Sequence, residues 1–241
     1  FYTFIASLGN IMEAINEKDI ELIVLDRPNP NNYVQGPIGQ FKTFLSPYPI
    51  PIVYGLTIGE LALMIQGEQW RKVSKVKLKI IKMKNYQRDD QFEIVKFPSP
   101  NLRSIMAIKN YPTLALFEAT SLSIGRGTYD AFRIMGSPSY EIKDITFTPR
   151  SLKGIAEKPK FLNKLCYGEE VNLKTFDFSL FYKTFLRENL TITSDSFFKQ
   201  LLGNEDVYNL IKSETNTDLI INSWHKDLEA YKAKRKKYLI Y

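Results

Sequence analysis

Three carboxylates sit where the chain changes direction, and they are the first residues able to do chemistry. Asp26 follows the apolar run Glu21-Leu22-Ile23-Val24-Leu25 and leads into Arg27-Pro28-Asn29-Pro30. Glu60 lies three residues after Thr57 at the start of a helical pattern, and Glu118 closes the apolar run Leu114-Ala115-Leu116-Phe117. Paired carboxylates are what glycosidic bond cleavage requires: one protonates the leaving oxygen, the other activates water or attacks the anomeric carbon. Around Asp26, an acid, a cation able to form a two-pronged bond and an amide fall within four residues, a set that suits a polyhydroxylated or anionic ligand. Two prolines in three residues stop both helix and strand ladder, so these side chains leave the sheet on stiff backbone. An Asx-type turn with a surface ion pair accounts for the same stretch on structural grounds.

The other candidates also carry two readings. Thr57 and Glu60 form a capping box, which explains Glu60 without a ligand. Gly125-Arg126-Gly127-Thr128 lacks the Gly-Lys-Ser/Thr ending and the long following helix of a phosphate loop. Its glycines let backbone approach a ligand closely, and Arg126 can hold a carboxylate in a bidentate fork; a glycine-driven turn with a solvated arginine fits equally. Asn101, between Pro100 and Leu102, can bond a sugar hydroxyl or cap the next helix.

Composition narrows the classes. The 241 residues are 44% hydrophobic, enough for one large domain or two small ones. The net charge of +7 points to an anionic partner, with nucleic acid, membrane surface and anionic polysaccharide all eligible. Much of that excess lies in Lys232, Lys234, Arg235, Lys236 and Lys237, where cations complement a helix dipole. No interleaving of aromatic and basic residues supports nucleic-acid binding. One cysteine (Cys166) and one histidine (His225) leave no basis for an internal disulfide, a zinc site or a histidine triad, and no metal or other cofactor is expected. No apolar run reaches membrane-spanning length, so no stable membrane insertion is expected, and no signal peptide is visible in this chain.

The elements that must position these residues read as follows. Phe1 to Lys18 is an amphipathic helix, with Ile5, Leu8, Met12 and Ile15 at helical spacing. Glu21–Leu25 is a buried strand, residues 31–51 a long functional loop, Pro51–Tyr54 a second strand, Thr57 to about Gly67 a helix, and Val76–Met83 a half-exposed strand near a sheet edge. Strand, helix and strand with short turns make a doubly wound α/β unit. After Lys84 the chain turns polar through Gln91, then reaches Phe97-Pro98-Ser99-Pro100-Asn101. The boundary is placed there, giving residues 1–84 and 85–241. In the second part Leu114–Phe117 reads as a strand delivering Glu118, and Ile145–Pro149 as another. Helices follow at 178–187, 194–202, 207–213 and, as one long element, 216–236.

Taken in order, Leu25-Asp26-Arg27-Pro28-Asn29-Pro30, Gly36-Pro37, Tyr54 through Ala62, Pro98-Ser99-Pro100-Asn101, Phe117 through Thr128 and the Ser223-to-Tyr241 tail resemble the NamZ-type exo-β-N-acetylmuramidases over essentially the whole chain. The resemblance implies an α/β fold: a partial Rossmann-like domain, a smaller α+β C-terminal domain, and a cleft between them. It implies release of N-acetylmuramic acid from the non-reducing end of peptidoglycan glycan, an extracytoplasmic setting, and a peptidoglycan-derived glycan as partner. On that basis Asp26 and Glu118 are the expected catalytic residues, and Arg27, Asn29, Glu60, Asn101 and Arg126 the expected substrate-binding ones, with Arg126 on the lactyl carboxylate. Two departures stand out. Family chains carry a segment before the position of Phe1, with a Pro-Glu-His-Gly-like motif whose Glu is the favoured acid, so this chain corresponds to the later part of the enzyme. Where the family commonly has Gly-Thr-Asn, this chain has Ala119-Thr120-Ser121. The competing expectation is a glycan-binding protein that kept the cleft without the acid. A phosphosugar or nucleotide enzyme on the same frame has no phosphate loop to support it.

Overall fold

A computed structural model describes residues 3–90 and 96–241. By contacts the chain forms two compact units: Phe1–Phe92 with Gly203–Val207 and Asn222–Tyr241, and Glu93–Leu202 with Tyr208–Ile221. The sequence reading cuts once, after Lys84. The contacts instead return the last twenty residues to the first unit, where Tyr231 is buried and its hydroxyl donates to the Tyr54 carbonyl at 2.8 Å.

The first unit contains α1 (Phe4–Ile15), β1 (Glu21–Leu25), β2 (Gln35–Ile38), β3 (Pro51–Val53), α2 (Ile58–Gly67) and β4 (Lys77–Ile81). In α1, Ile5, Leu8 and Met12 are buried on one face, as their spacing requires; Phe1 and Tyr2 lie outside the described residues, as does Gln91. β1 forms where expected but is not a buried strand. It pairs in parallel with β4, from Glu21↔Lys77 to Leu25↔Ile81, and alternation sends Val24 into the core while Ile23 and Leu25 stay 50% and 60% exposed. The stretch read as a long loop contains β2, antiparallel to β3. Gly36 and Pro37 inside β2 hid it from pattern reading. The capping box of α2 is present: Thr57 accepts from the Glu60 amide, and Glu60 accepts from the Thr57 amide. Leu61, Met64 and Ile65 of α2 pack with Met12, Val24 and Tyr48 in one core.

The second unit opens with α3 (Ile105–Leu114), capped by Ser104, which runs into a 3₁₀ turn over Ala115–Ala119. The strand expected at Leu114–Phe117 is therefore helical. A short, all-apolar run carries no period that separates strand from buried helix, and every residue from Pro112 to Phe117 is buried. A three-stranded antiparallel sheet follows, built of β5 (Ile134–Ser137), β6 (Ile145–Phe147) and β7 (Cys166–Glu170) in the order β5-β7-β6. The central strand β7 was not expected, since Gly168-Glu169-Glu170 carries no strand signal. Next come α4 (Phe178–Arg187) and α5 (Asp195–Leu202), then α6 (Glu205–Lys212), whose residues to Val207 count with the first unit and from Tyr208 with the second. The core of this unit is aromatic: Phe181 lies 4.9 Å from Phe117 and 5.8 Å from both Phe178 and Phe198, ring centre to ring centre.

The long helix expected over 216–236 is two helices, α7 (Thr217–Ser223) and α8 (His225–Arg235), broken at Trp224, where φ is −99° and ψ 0°. Along these two helices Ile220, Trp224, Leu228 and Tyr231 are buried, whereas Leu219 is 62% exposed.

Asn110, fully buried on α3, holds the second unit together. Its amide donates to the carbonyls of Phe132 (2.9 Å) and Val171 (2.7 Å), and its oxygen accepts from the Leu173 amide at 2.8 Å. Asn110→Ala strands two buried backbone carbonyls and one half-buried amide and is expected to cost about 3 kcal/mol, read as a lower urea midpoint with unchanged slope.

Candidate functional site

Two clusters hold the residues singled out from sequence, one in each unit. In the first, the amide of Asp26 still bonds the Ile81 carbonyl at 3.1 Å, so the carboxylate stands at the last rung of the β1–β4 pair. It is only 1% exposed, and four donors surround it. Oδ1 accepts from the amides of Gly59 (2.8 Å) and Arg27 (3.1 Å); Oδ2 accepts from the hydroxyls of Thr57 (2.7 Å) and Tyr241 (2.9 Å). The Gly59 amide belongs to the first turn of α2, where the helix dipole also favours a negative charge. Gly59 has to be glycine, because a Cβ there would come within 2.9 Å of the Asp26 carboxyl carbon and 2.7 Å of Ile80.

Glu60, one residue on, is fully buried. Oε2 accepts from the Thr57 amide at 2.9 Å; Oε1 accepts from Ile240 N at 3.0 Å and from the Arg88 guanidinium. Arg88 and Arg235 both donate to the Gly55 carbonyl, and burial followed by the nearby Arg88 charge lowers the pKa of Arg235. Asn29 donates to the Leu56 carbonyl and accepts from the Asn31 amide, both at 2.9 Å, so the Asx-type turn is real. Arg27 is exposed and returns one guanidinium bond to the Asp26 carbonyl at 2.9 Å.

In the second unit Glu118 and Arg126 meet. Arg126 Nη2 donates to Glu118 Oε1 at 2.8 Å, with the side chains 35% and 19% exposed respectively. The guanidinium also lies over the Phe132 ring at 5.1 Å, and its buried Nε has no hydrogen-bond partner. The Asn101 amide donates to the Ile155 carbonyl at 3.2 Å, and its buried Oδ1 has no donor. Ser104, not Asn101, caps α3.

Lys160, which sequence reading passed over, organises the second cluster. Its ammonium donates to the carbonyls of Phe117 (3.0 Å), Glu118 (3.0 Å), Leu122 (2.9 Å) and Thr120, gathering the segment that carries Glu118 around a single charge. Burial pulls its pKa down to about 8, with the Glu118 charge opposing and Arg126 adding to the drop. Gly127 makes the approach possible: at φ +85°, a Cβ there would strike Pro159, the residue before Lys160, at 2.5 Å. No local signal links Lys160 to residues some forty positions earlier.

The matches to known proteins agree with this frame. The chain fits the family description Exo-beta-N-acetylmuramidase NamZ, N-terminal, over residues 1–106 and its C-terminal counterpart over residues 109–241. A peptidoglycan beta-N-acetylmuramidase NamZ from Bacillus subtilis strain 168 is 33% identical over 269 residues; the match covers all of this chain and 64% of that protein. This chain thus spans less than two thirds of the length of that curated relative. A crystal structure of a DUF1343 family protein from Bacteroides fragilis NCTC 9343 superposes with a TM-score of 0.84 at 38% identity, covering all of this chain and 72% of the other. A second such protein from the same strain, at 22% identity and TM-score 0.83 over 71% of its chain, shares the fold. The fold is a mixed α/β one in two units. The chain belongs to the exo-β-N-acetylmuramidase NamZ family.

Two measurements check the clusters. Burial, ahead of the Asp26 charge, pushes Tyr241 up to about 12, while the unfolded chain ionises near its ordinary 10. Between those values the unfolded state has released the proton and the folded state has not, so stability falls as pH rises from 10 to 12. Tyr241→Phe should flatten that fall in a chemical-denaturation series across this window. Lys160→Met removes the ammonium donor of the Glu118, Thr120 and Leu122 carbonyls, while Phe117 keeps the Thr120 amide and hydroxyl, and should cost about 3 kcal/mol, with Lys160→Arg recovering part of it.

Proposed function

We propose that the protein carrying this chain is a glycoside hydrolase that releases N-acetylmuramic acid from the non-reducing end of peptidoglycan glycan, outside the cytoplasm, where that polymer is found. The reading is carried by the Glu118–Arg126 pair, an accessible carboxylate and guanidinium on one clamped segment of a chain that matches one muramidase family along its length. Arg126 pairs with the lactyl carboxylate that separates muramic acid from glucosamine, a charge-assisted discrimination neutral sugars cannot satisfy. When that carboxylate takes the place of Glu118 on Arg126, Glu118 is released to position water or move a proton at the anomeric carbon. Arg27, Asn29 and Asn101 are proposed to hold sugar hydroxyls.

Asp26 and Glu60 take a different part from the one read in sequence. Each carboxylate is buried and fully supplied with protein donors, so both are proposed to position the Arg27–Asn29 turn and the start of α2 rather than exchange protons. The parallel β1–β4 pair with its intervening helix is taken as part of a Rossmann-like sheet.

One observation favours a second reading, a glycan-binding protein without turnover. Of the three carboxylates only Glu118 is accessible, and bond cleavage by the paired-carboxylate route needs another. The substrate's own acetamido group is an alternative partner for Glu118. A chromogenic β-N-acetylmuramide assayed with the full-length protein separates these readings. Turnover that drops at least about a hundredfold in Glu118→Gln supports the hydrolase. Arg126→Ala should raise KM for muramides and leave glucosaminide analogues unchanged; equal loss on both contradicts the lactyl role. Binding of muramic-acid glycans with no turnover supports the second reading.

A further inference from the structure

A cavity of about 720 Å³ opens in the first unit, and none of the site residues read from sequence lines it. Its walls come from residues 39–44, Pro47–Pro49, Gln69–Lys72 and, on α1, Ala6 and Asn10. The volume is in the range of small-ligand sites. Trp70 supplies an aromatic wall. Its ring stacks on Tyr48 at 5.3 Å with planes 22° apart, and Tyr48 is buried and anchored by its hydroxyl to the Ile5 carbonyl at 3.2 Å. Phe44 adds a second aromatic side chain, 55% exposed. Such surfaces pack against the C–H face of a pyranose, while its hydroxyls need polar partners such as Asn10, Gln40 and Gln69.

The charge of the lining adds a second requirement on the ligand. Lys42, Arg71 and Lys72 all line the cavity. Arg71 is held by Glu13, with Nη2 to Oε2 at 2.6 Å, whereas Lys42 and Lys72 are exposed lysines on the wall. The pattern suits a sugar that carries a carboxylate.

The backbone of this wall is strained. Gln69, Arg71 and Lys72 adopt φ of +52°, +56° and +61°, a left-handed region that costs a side-chain-bearing residue about 1 kcal/mol or more. Three such residues in four persist because their surroundings fix them. The Lys72 amide bonds the Gln69 carbonyl at 3.2 Å, the Val73 amide bonds the Trp70 carbonyl at 3.1 Å, and Glu13 grips Arg71. A turn free to relax would shed that strain; this one spends it on presenting Trp70 and Lys72 to the cavity.

We propose that this cavity is a glycan-holding subsite, additional to the Glu118–Arg126 site, that stacks a pyranose on Trp70 and pairs its carboxylate with Lys42 and Lys72. The sugar's identity as muramic acid rests on the function proposed above; the site itself rests on the cavity. The test titrates the full-length protein calorimetrically with an alternating N-acetylglucosamine–N-acetylmuramic acid tetrasaccharide capped by N-acetylglucosamine at its non-reducing end, a ligand that an exo-acting muramidase does not cut. Trp70→Ala and the double variant Lys42→Glu/Lys72→Glu are each expected to weaken binding about tenfold or more, while turnover of the single-sugar chromogenic muramide stays unchanged. Chitotetraose, neutral and of equal length, should bind more weakly than the anionic glycan to the wild type and equally to the lysine variant. Unchanged tetrasaccharide binding in both variants, or no binding by the wild type, overturns the subsite. Equal binding of the two glycans by the wild type overturns the carboxylate pairing. Absence of turnover with intact, Trp70-dependent binding overturns the hydrolase reading alone. The two lysines are exposed, so their variant reports on the site even where Trp70→Ala fails to fold.

Discussion

The first unit depends on a buried negative charge. Asp26 sits where the β1–β4 ladder ends and the α2 helix begins, and its two oxygens take one donor from the turn, two from the head of the helix and one from Tyr241. A carboxylate stripped of water is costly unless every lone pair is satisfied, and here each is. That condition propagates. Gly59 must lack a side chain, Thr57 must offer a hydroxyl, and the last residues must return from the far end of the sequence to bring Tyr241 alongside. Glu60 repeats the arrangement one residue later with Arg88 and the Ile240 amide. Two acids that stand out as site candidates in the sequence thus also fasten a turn.

The second unit inverts the sign. There a half-buried cation, Lys160, collects backbone carbonyls from Phe117 to Leu122. The residues at the end of a 3₁₀ turn leave carbonyls unpaired within the helix, and an ammonium aimed at several of them satisfies the deficit while its field supports the neighbouring Glu118 charge. Arg126 completes the arrangement from the glycine-bounded loop. Glu118 thereby stays partly exposed yet rigidly carried, which fits a reacting group better than complete enclosure does.

How much of this was legible in the sequence depends on the range of the interaction. Local chemistry read well: the capping box at Thr57 and Glu60, the helical face of Ile5, Leu8 and Met12, and the end of β1 at Leu25 all follow from neighbours within a few residues. Leu114–Phe117 read badly, since an apolar run buried on all sides has no period to betray its geometry. β7 read not at all, because pairing with β5 and β6 defines that strand and its own composition does not. Among the site residues, the positions of Asp26 and Glu118 were visible while their partners were not. Tyr241, Arg88 and Lys160 arrive from far along the chain, and only those partners separate an enclosed carboxylate from an accessible one.

That separation bears on how carboxylate motifs are weighed. Proton transfer to a substrate needs a lone pair that the protein has left unspent. Asp26 accepts from two amides and two hydroxyls, and Glu60 from two amides and a guanidinium, so the protein itself engages both. Glu118 has spent one oxygen, and on a partner that a second carboxylate can take from it. On the function proposed above, competition for Arg126 would tie recognition of the acidic sugar to release of Glu118.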